Sequence, residues 1–508
     1  MTTQRTGSVD TYEVDDDAAL PPLEGLPGVA SVTKPVRRRL ESTYFDTPDL
    51  ALGRRGITLS RTVGGEDPGW RLRMPNAGSS HEVSEPLGRS TKTVPKRLRS
   101  LVQAHVRDAS LAPVAVVTSR CDVRRLRDAR RRLLGEVTED HVEATPAGAE
   151  DGATRTWTEW RFVPAEGDGA LRDALVPLLE EAGGTPVDEA SRLDRVLEGR
   201  VHDGTAPDLP SPRKKGPAAA VVSARLREQV AEVRRLDPLV RSDAPHAVHD
   251  MRVALRRLRS ALATYRPLLD RDVTDPVRDE LRWLAQALGQ VRDTEVIRRR
   301  LQRLLSEEPS ENVQGHVGPE LERQMSARYD EARARCLEAM ESPQYFALLE
   351  RLDELATDPP LTPAADEQAQ DVLRRAVRRD WSRLRKRVAA VDEVEDAAER
   401  SLRLHAVRKA AKRTRYAAEP LRPLYGKDAR RFVKAAKRVQ TSLGEHHDGT
   451  VSQQVLREQA DTSSATAGAS FTYGILHTRE ESRIAKARAD FEKAWKAASG
   501  KRLRGWLV

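Results

Sequence analysis

The stretch His249–Arg259, HDMRVALRRLR, returns later in the chain as His405–Arg415, HAVRKAAKRTR. Both read His-x-x-Arg-x-x-x-basic-basic-x-Arg. Each is followed by a second shared element, Leu288-Gly289-Gln-Val-Arg292-Asp293 in the first copy and Leu443-Gly444-Glu-His446-His447-Asp448 in the second. The leading histidine and the closing aspartate are 44 residues apart in the first copy and 43 in the second. Two motifs recurring in the same order at nearly the same spacing mark a tandem duplication.

At about 100° per residue, offsets of 0, 3, 7 and 10 fall within an arc of about 80° on a helix. His249, Arg252, Arg256 and Arg259 therefore form one stripe, and His405, Arg408, Lys412 and Arg415 another. No acid interrupts Arg252–Arg259, which holds four arginines, or Arg403–Arg415, which holds six basic residues. Like charges at i,i+4 disfavour a helix. A helix needing only solubility interleaves glutamates, as Glu322–Glu338 partly does. One basic run alone reads as a solvated face. Two matched stripes without acids, each headed by histidine, read as a surface awaiting an anion. Arginine pairs bidentately with phosphate oxygens and lysine acts as a point charge, so the pattern suits a repeating phosphate chain. No Gly-rich phosphate loop or dinucleotide fingerprint is present. Asp293 and Asp448, recurring with the stripes, are candidates to hold a stripe arginine in place. The Leu-Gly pairs mark either close packing or a helix end. His446 and His447 could suggest a metal site, but an adjacent histidine pair is weak support for one.

Outward from the repeat, the chain has two textures. From about residue 218 onward nearly everything follows the helical period, with breaks near Ser306–Gly318, at Asp358–Pro363 and around Pro423–Lys427. This predicts an all-α bundle. Before about residue 200, short alternating runs separated by turn residues read as half-buried strands: Gly56–Val63, Gly69–Met74 and Trp157–Val163. Helical stretches intervene at Val94–Ala104 and Leu171–Ala182, so an α+β domain is expected. The Pro- and charge-rich stretch Gly204–Pro217 reads as a linker. The expected division is residues 1–202, a linker over 203–217, and residues 218–508.

The 508 residues carry a net charge of +9, so the distribution of positive charge matters more than its sum. Aromatics are only 4%, which argues against stacking of single-stranded bases. Two cysteines far apart, Cys121 and Cys336, give no disulfide or zinc framework. With no apolar leader and no apolar run of spanning length, a cytoplasmic protein without a membrane partner is expected.

At these residues the second half resembles the CHAD domain, named for conserved histidines in an α-helical domain, over roughly Ala218–Trp495. The resemblance implies a helical bundle with pseudo-twofold symmetry that binds inorganic polyphosphate, often at polyphosphate granules. By motif match, the binding residues would be His249, Arg252, Arg256, Arg257 and Arg259, with His405, Arg408, Lys409, Lys412, Arg413 and Arg415. The first half resembles a CYTH domain, an antiparallel β tunnel with helices that binds triphosphates, over about Tyr12–Val201. The carrying residues are Tyr44–Leu50, Gly56–Leu59, Gly64-Gly65, Gly69–Pro75, Leu134-Gly-Glu136 with Asp140, Trp157–Glu159 and Ser191-Arg192.

The departures from the CYTH pattern point away from catalysis. The family's metal-binding Glu-x-Glu-x-Lys would fall on Gly7, Val9 and Thr11, and no such motif occurs in residues 1–40. A paired basic position falls on Ser60 and Thr62, leaving Arg61 on the other face. A second inward pair is read as Val116 and Thr118, and a later acid position as Arg161, although Glu159 remains. The expectation is a polyphosphate-binding protein with a catalytically inactive, degenerate CYTH-like domain and no cofactor, the first domain serving as scaffold or protein-docking surface. The alternatives are a metal-dependent triphosphatase and a nucleic-acid-binding helical protein. The second is disfavoured by the missing aromatics and the absence of a reading helix.

Overall fold

Alternation in the first two hundred residues produces one antiparallel sheet in the computed structural model. The structure describes all residues except 1–9, 77–78, 89, 149–153, 166–168, 188, 198, 200–211, 462–465 and 508. Gly7, Val9 and most of the expected linker therefore lie outside the described residues. The strands are β1 (Asp10–Val14), β2 (Ser31–Val32), β3 (Val36–Asp46), β4 (Thr58–Gly64), β5 (Gly69–Asn76), β6 (Ser79–Glu85), β7 (Ala112–Arg127), β8 (Leu133–Pro146), β9 (Arg155–Pro164) and β10 (Thr185–Val187). Their order is β10-β1-β9-β8-β7-β3-β4-β5-β6, with β2 beside β7. The sheet curls into an open half-barrel.

Four short helices accompany it: α1 (Lys96–Leu101), α2 (Gln103–Val106), α3 (Gly169–Glu181) and α4 (Glu189–Val196). The side-chain period of two sends alternate residues of β9 to opposite faces. Trp160 and Phe162 pack with Leu171, Leu175 and Leu179 of α3 on one face. Trp157 packs with Val142, Val117, and Leu193 and Val196 of α4 on the other. The inner face of the half-barrel is thus partly filled by its own last helix.

The helical half consists of α5 (Ala218–Arg241), α6 (Ala247–Thr264), α7 (Arg271–Ser306), α8 (Val317–Glu341), α9 (Pro343–Thr357), α10 (Ala369–Ala389), α11 (Ala397–Ala418), α12 (Arg422–Ala460), α13 (Ala467–Ala498) and α14 (Lys501–Arg504). The order α5-α6-α7-α8 repeats as α10-α11-α12-α13, with α9 between, as the duplication requires. The stripe helices α6 and α11 form because each carries a second, apolar face: Met251, Ala254, Leu255, Leu258 and Leu262 in α6, and Leu404, Val407, Ala411 and Ala418 in α11, all buried. Asp396 caps α11, its carboxylate accepting from the Glu399 amide at 2.7 Å. The break expected around Pro423–Lys427 is a kink in α12 at Gly426, whose φ of 53° suits glycine.

The chain divides into two compact units, residues 1–208 with 234–247, and residues 209–233 with 248–508. Within the first, Arg234 donates to the Ala104 carbonyl at 2.9 Å, and Ser242 Oγ lies 3.1 Å from His81 Nε2.

Candidate polyanion-binding site

In the second unit the two stripes converge. Arg252 of α6 donates through Nη1 to Asp293 Oδ1 at 2.8 Å and to the Gly289 carbonyl at 3.2 Å. In the second copy Arg408 Nη2 lies 3.9 Å from Asp448 Oδ1. Gly289 and Gly444 sit inside the long helices α7 and α12, not at helix ends. A Cβ at Gly289 would lie 3.6 Å from Arg252 Nη2, and one at Gly444 would lie 3.5 Å from Arg408 Nη2. Each Leu-Gly-x-x-x-Asp element is therefore a seat: the glycine leaves room for the guanidinium and the aspartate, one turn on, fixes it.

The electrostatics place the cations of the two stripes close to one another. Burial pulls the Lys412 ammonium down to about 7, and Arg408, Arg256 and Arg252 add to the shift. Arg408 is lowered first by burial and further by Arg256 and Arg252, against the opposing pull of Asp448 and Asp293. Arg256 is half-buried, and its Nε has no hydrogen-bond partner among the described residues. Such a group holds capacity that a ligand oxygen can fill.

The leading histidines meet the fifth position of the seat element. His405 and His447 have ring centroids 4.4 Å apart. Both titrate near 4, from burial first, then His447 and nearby cations for His405, and Arg408 for His447. In the first copy burial and then Arg292 lower His249. Arg292 and His447 occupy equivalent places, each beside the leading histidine of its own copy. Reading the repeat for the outer residues alone passes over them, although their position within the recurring element was the signal.

The remaining sequence-selected cations stand elsewhere. Lys409 is exposed beside His405. Arg257 and Arg415 converge on Glu419, their Nε atoms 3.2 and 3.3 Å from its carboxylate, where Arg225 also reaches at 3.3 Å. Arg413 pairs with Asp380 at 2.8 Å. Arg259 is lowered by burial and by Arg282 and Arg278. Arg415, the last member of its helical stripe, is buried against Glu419 instead of completing the cleft.

In the half-barrel, strand register corrects one inward assignment. Thr62 faces Ser42, and Ser42 faces Val117, so Val117 and Ser119 share the face of Ser60 and Thr62. Val116 and Thr118 oppose Thr43 and Glu41 and lie on the other face with Arg61. A one-residue slip in β7 reverses the assignment. The inward positions are apolar or hydroxyl in either register.

The acids on that inner face are engaged. Arg161 lies 2.7 Å from Asp140, which is fully buried. Glu159 pairs with Arg192 and accepts from Trp157 Nε1 at 2.5 Å. Arg195 pairs with Glu13. Among the described residues no group of three or more His, Cys, Asp or Glu is placed to hold a metal ion. No helix there is long and apolar enough to cross a membrane.

Comparison with known proteins identifies the helical half of the chain. The CHAD domain family model matches residues 224–457. The chain is 35% identical over 496 residues to the uncharacterized protein Rv2226 of Mycobacterium tuberculosis, covering 95% of this chain and 94% of that protein. It is similar to the crystal structure of the CHAD domain from the plant Ricinus communis, at 25% identity and a TM-score of 0.44, covering 60% of this chain and 96% of the other. It is also similar to a putative adenylate cyclase from Bacillus halodurans, at 12% identity and a TM-score of 0.24, covering 37% and 97%. With its stripes, seats and full-length relative, the chain belongs to the CHAD-domain family.

Proposed function

We propose that this protein binds inorganic polyphosphate in the cleft formed by His249, Arg252, Arg256, Arg292, His405, Arg408, Lys412 and His447, and through it associates with polyphosphate granules. The observation that carries the reading is the gathering of Arg252, Arg256 and Arg408 around Lys412, whose ammonium is held near 7 by burial first and then by these cations. Clustered cations at this cost in solvation are favourable only when an anion relieves it. Of the acids within reach, Asp293 and Asp448 act as seats for Arg252 and Arg408, and Glu295 pairs with Arg292 at 2.7 Å. A row of cations drawn from two related helices fits an extended chain of phosphates, the ligand that the CHAD resemblance implies.

The half-barrel serves this function as a scaffold or protein-docking surface without catalysis. Its inner acids, Asp140 and Glu159, already hold Arg161 and Arg192.

Reversing Arg252 and Arg256 to Glu, or Arg408 and Lys412 to Glu, should weaken long-chain polyphosphate binding by about 100-fold or more, as expected for loss of two charge-assisted contacts. The same reversals at Arg328 and Arg335 on α8, where Arg335 already pairs with Glu331, should change it little. Equal affinities in all three variants would refute the cleft. Competition separates the nucleic-acid alternative: duplex DNA should fail to displace polyphosphate at equal phosphate concentration.

A further inference from the structure

The duplication allows the two halves to be compared position by position, and one pair that differs in charge falls beside a cavity. Glu419 stands 156 residues after Ala263, the same offset that relates Arg257 to Arg413 and Arg259 to Arg415. The Glu419 carboxylate is nearly buried and gathers Arg225, Arg257 and Arg415. At Ala263 no carboxylate exists to do the same, and a cavity of about 420 Å³ opens there.

Six arginines line this cavity: Arg266, Arg271, Arg278, Arg379, Arg383 and Arg413. Two carboxylates serve them. Asp380 takes Arg383 at 2.7 Å and Arg413 at 2.8 Å, and its other oxygen accepts from Thr264 at 2.8 Å. Asp275 takes Arg266, Arg278 at 2.6 Å and Arg271 at 3.7 Å. Arg379 is exposed and has no acidic partner among the described residues. The Arg413 guanidinium is lowered by burial and by Arg383 and Arg278, despite Asp380. An excess of planar forks around a compact space suits a small oxyanion with several charges.

We propose that this cavity is a second anion site, taking a free short condensed phosphate of the pyrophosphate or tripolyphosphate class independently of the stripe cleft. Glu419 in the other half is the internal anion that makes such a ligand unnecessary there.

The test titrates the full-length chain with tripolyphosphate and, separately, with long-chain polyphosphate. Ala263→Glu copies Glu419 into the cavity, and Arg379→Glu alters an exposed residue that should leave folding intact. Both should weaken tripolyphosphate binding by about tenfold or more. Neither should change long-chain affinity by more than about twofold, an effect within the range of distant, independent sites. Arg256→Glu with Lys412→Glu should give the opposite pattern. The proposal is overturned if tripolyphosphate shows no saturable binding to the native chain, or if its affinity follows the cleft variant instead of the cavity variants. It also fails if Ala263→Glu and Arg379→Glu weaken both ligands equally, since the cavity would then be an extension of the cleft. Failure of the cleft reading is visible separately, in the long-chain titration of Arg256→Glu with Lys412→Glu.

Discussion

Lys412 is the residue at which binding and stability oppose each other. Its folded value near 7 lies well below the 10.5 of an unperturbed lysine. A basic group with a depressed folded value contributes most to stability above its unfolded value, and that contribution is lost as pH falls through the folded one. The ligand-free protein should therefore lose stability between about pH 10 and pH 7 from Lys412, and again as His405 and His447 titrate from their ordinary range down to about 4. A bound polyanion reverses the sign, because it favours the protonated forms. Polyphosphate binding should then take up protons near pH 8 and tighten as pH falls to 6. Calorimetry in two buffers of different ionisation enthalpy measures that uptake, and identical heats would contradict it. Lys412→Met should raise the ligand-free melting temperature by about 2–4 °C, the effect of about 1 kcal/mol in a domain of this size, while weakening binding.

At the scale of the element, each stripe helix works only with the long helix that seats it. Gly289 and Gly444 make this testable without touching a charge. Alanine at either position meets the arginine at ordinary contact distance, so Gly289→Ala and Gly444→Ala should bind normally and gain about 0.5–1 kcal/mol from helix propensity. Leucine keeps that propensity but displaces the guanidinium, so Gly289→Leu with Gly444→Leu should weaken binding while the helices remain, as circular dichroism would register. If leucine bound as well as alanine, the seats would be incidental. The stripes, their period and their recurrence were legible in the sequence because helix geometry fixes which residues share a face. The destinations of Arg257, Arg413 and Arg415 were not, because Glu419 and Asp380 lie outside the repeated motif and tertiary packing brings them in. Arg415 keeps the helical offset of its stripe yet turns to Glu419, the residue just past the end of α11. The inward face of β7 is hidden in the sequence for a related reason: small residues lie on both of its faces, so no pattern fixes its register, and only pairing with β3 does.

At the scale of the whole molecule, the two units divide by how their charges are paired. In the half-barrel Asp140, Glu159 and Glu13 each hold an arginine, so a divalent ion would have to displace a guanidinium before meeting a carboxylate. Added Mg²⁺ or Mn²⁺ should accordingly produce no phosphate release from tripolyphosphate, and release abolished by chelation would restore a catalytic role. In the helical unit the cleft cations are under-paired, and their contacts with phosphate should displace condensed counterions. For a flexible polyanion each contact contributes about 0.7 to the slope of log affinity against log salt. Arg252, Arg256, Arg408 and Lys412 alone predict a slope of about −3 for long-chain polyphosphate. Neutralising Arg252 and Arg256 to Gln should reduce its magnitude by about 1.4, because two phosphate contacts are lost while the second stripe remains. An affinity loss with an unchanged slope would mean that these arginines only hold the fold, so the slope, more than the affinity itself, distinguishes a phosphate contact from a structural cation.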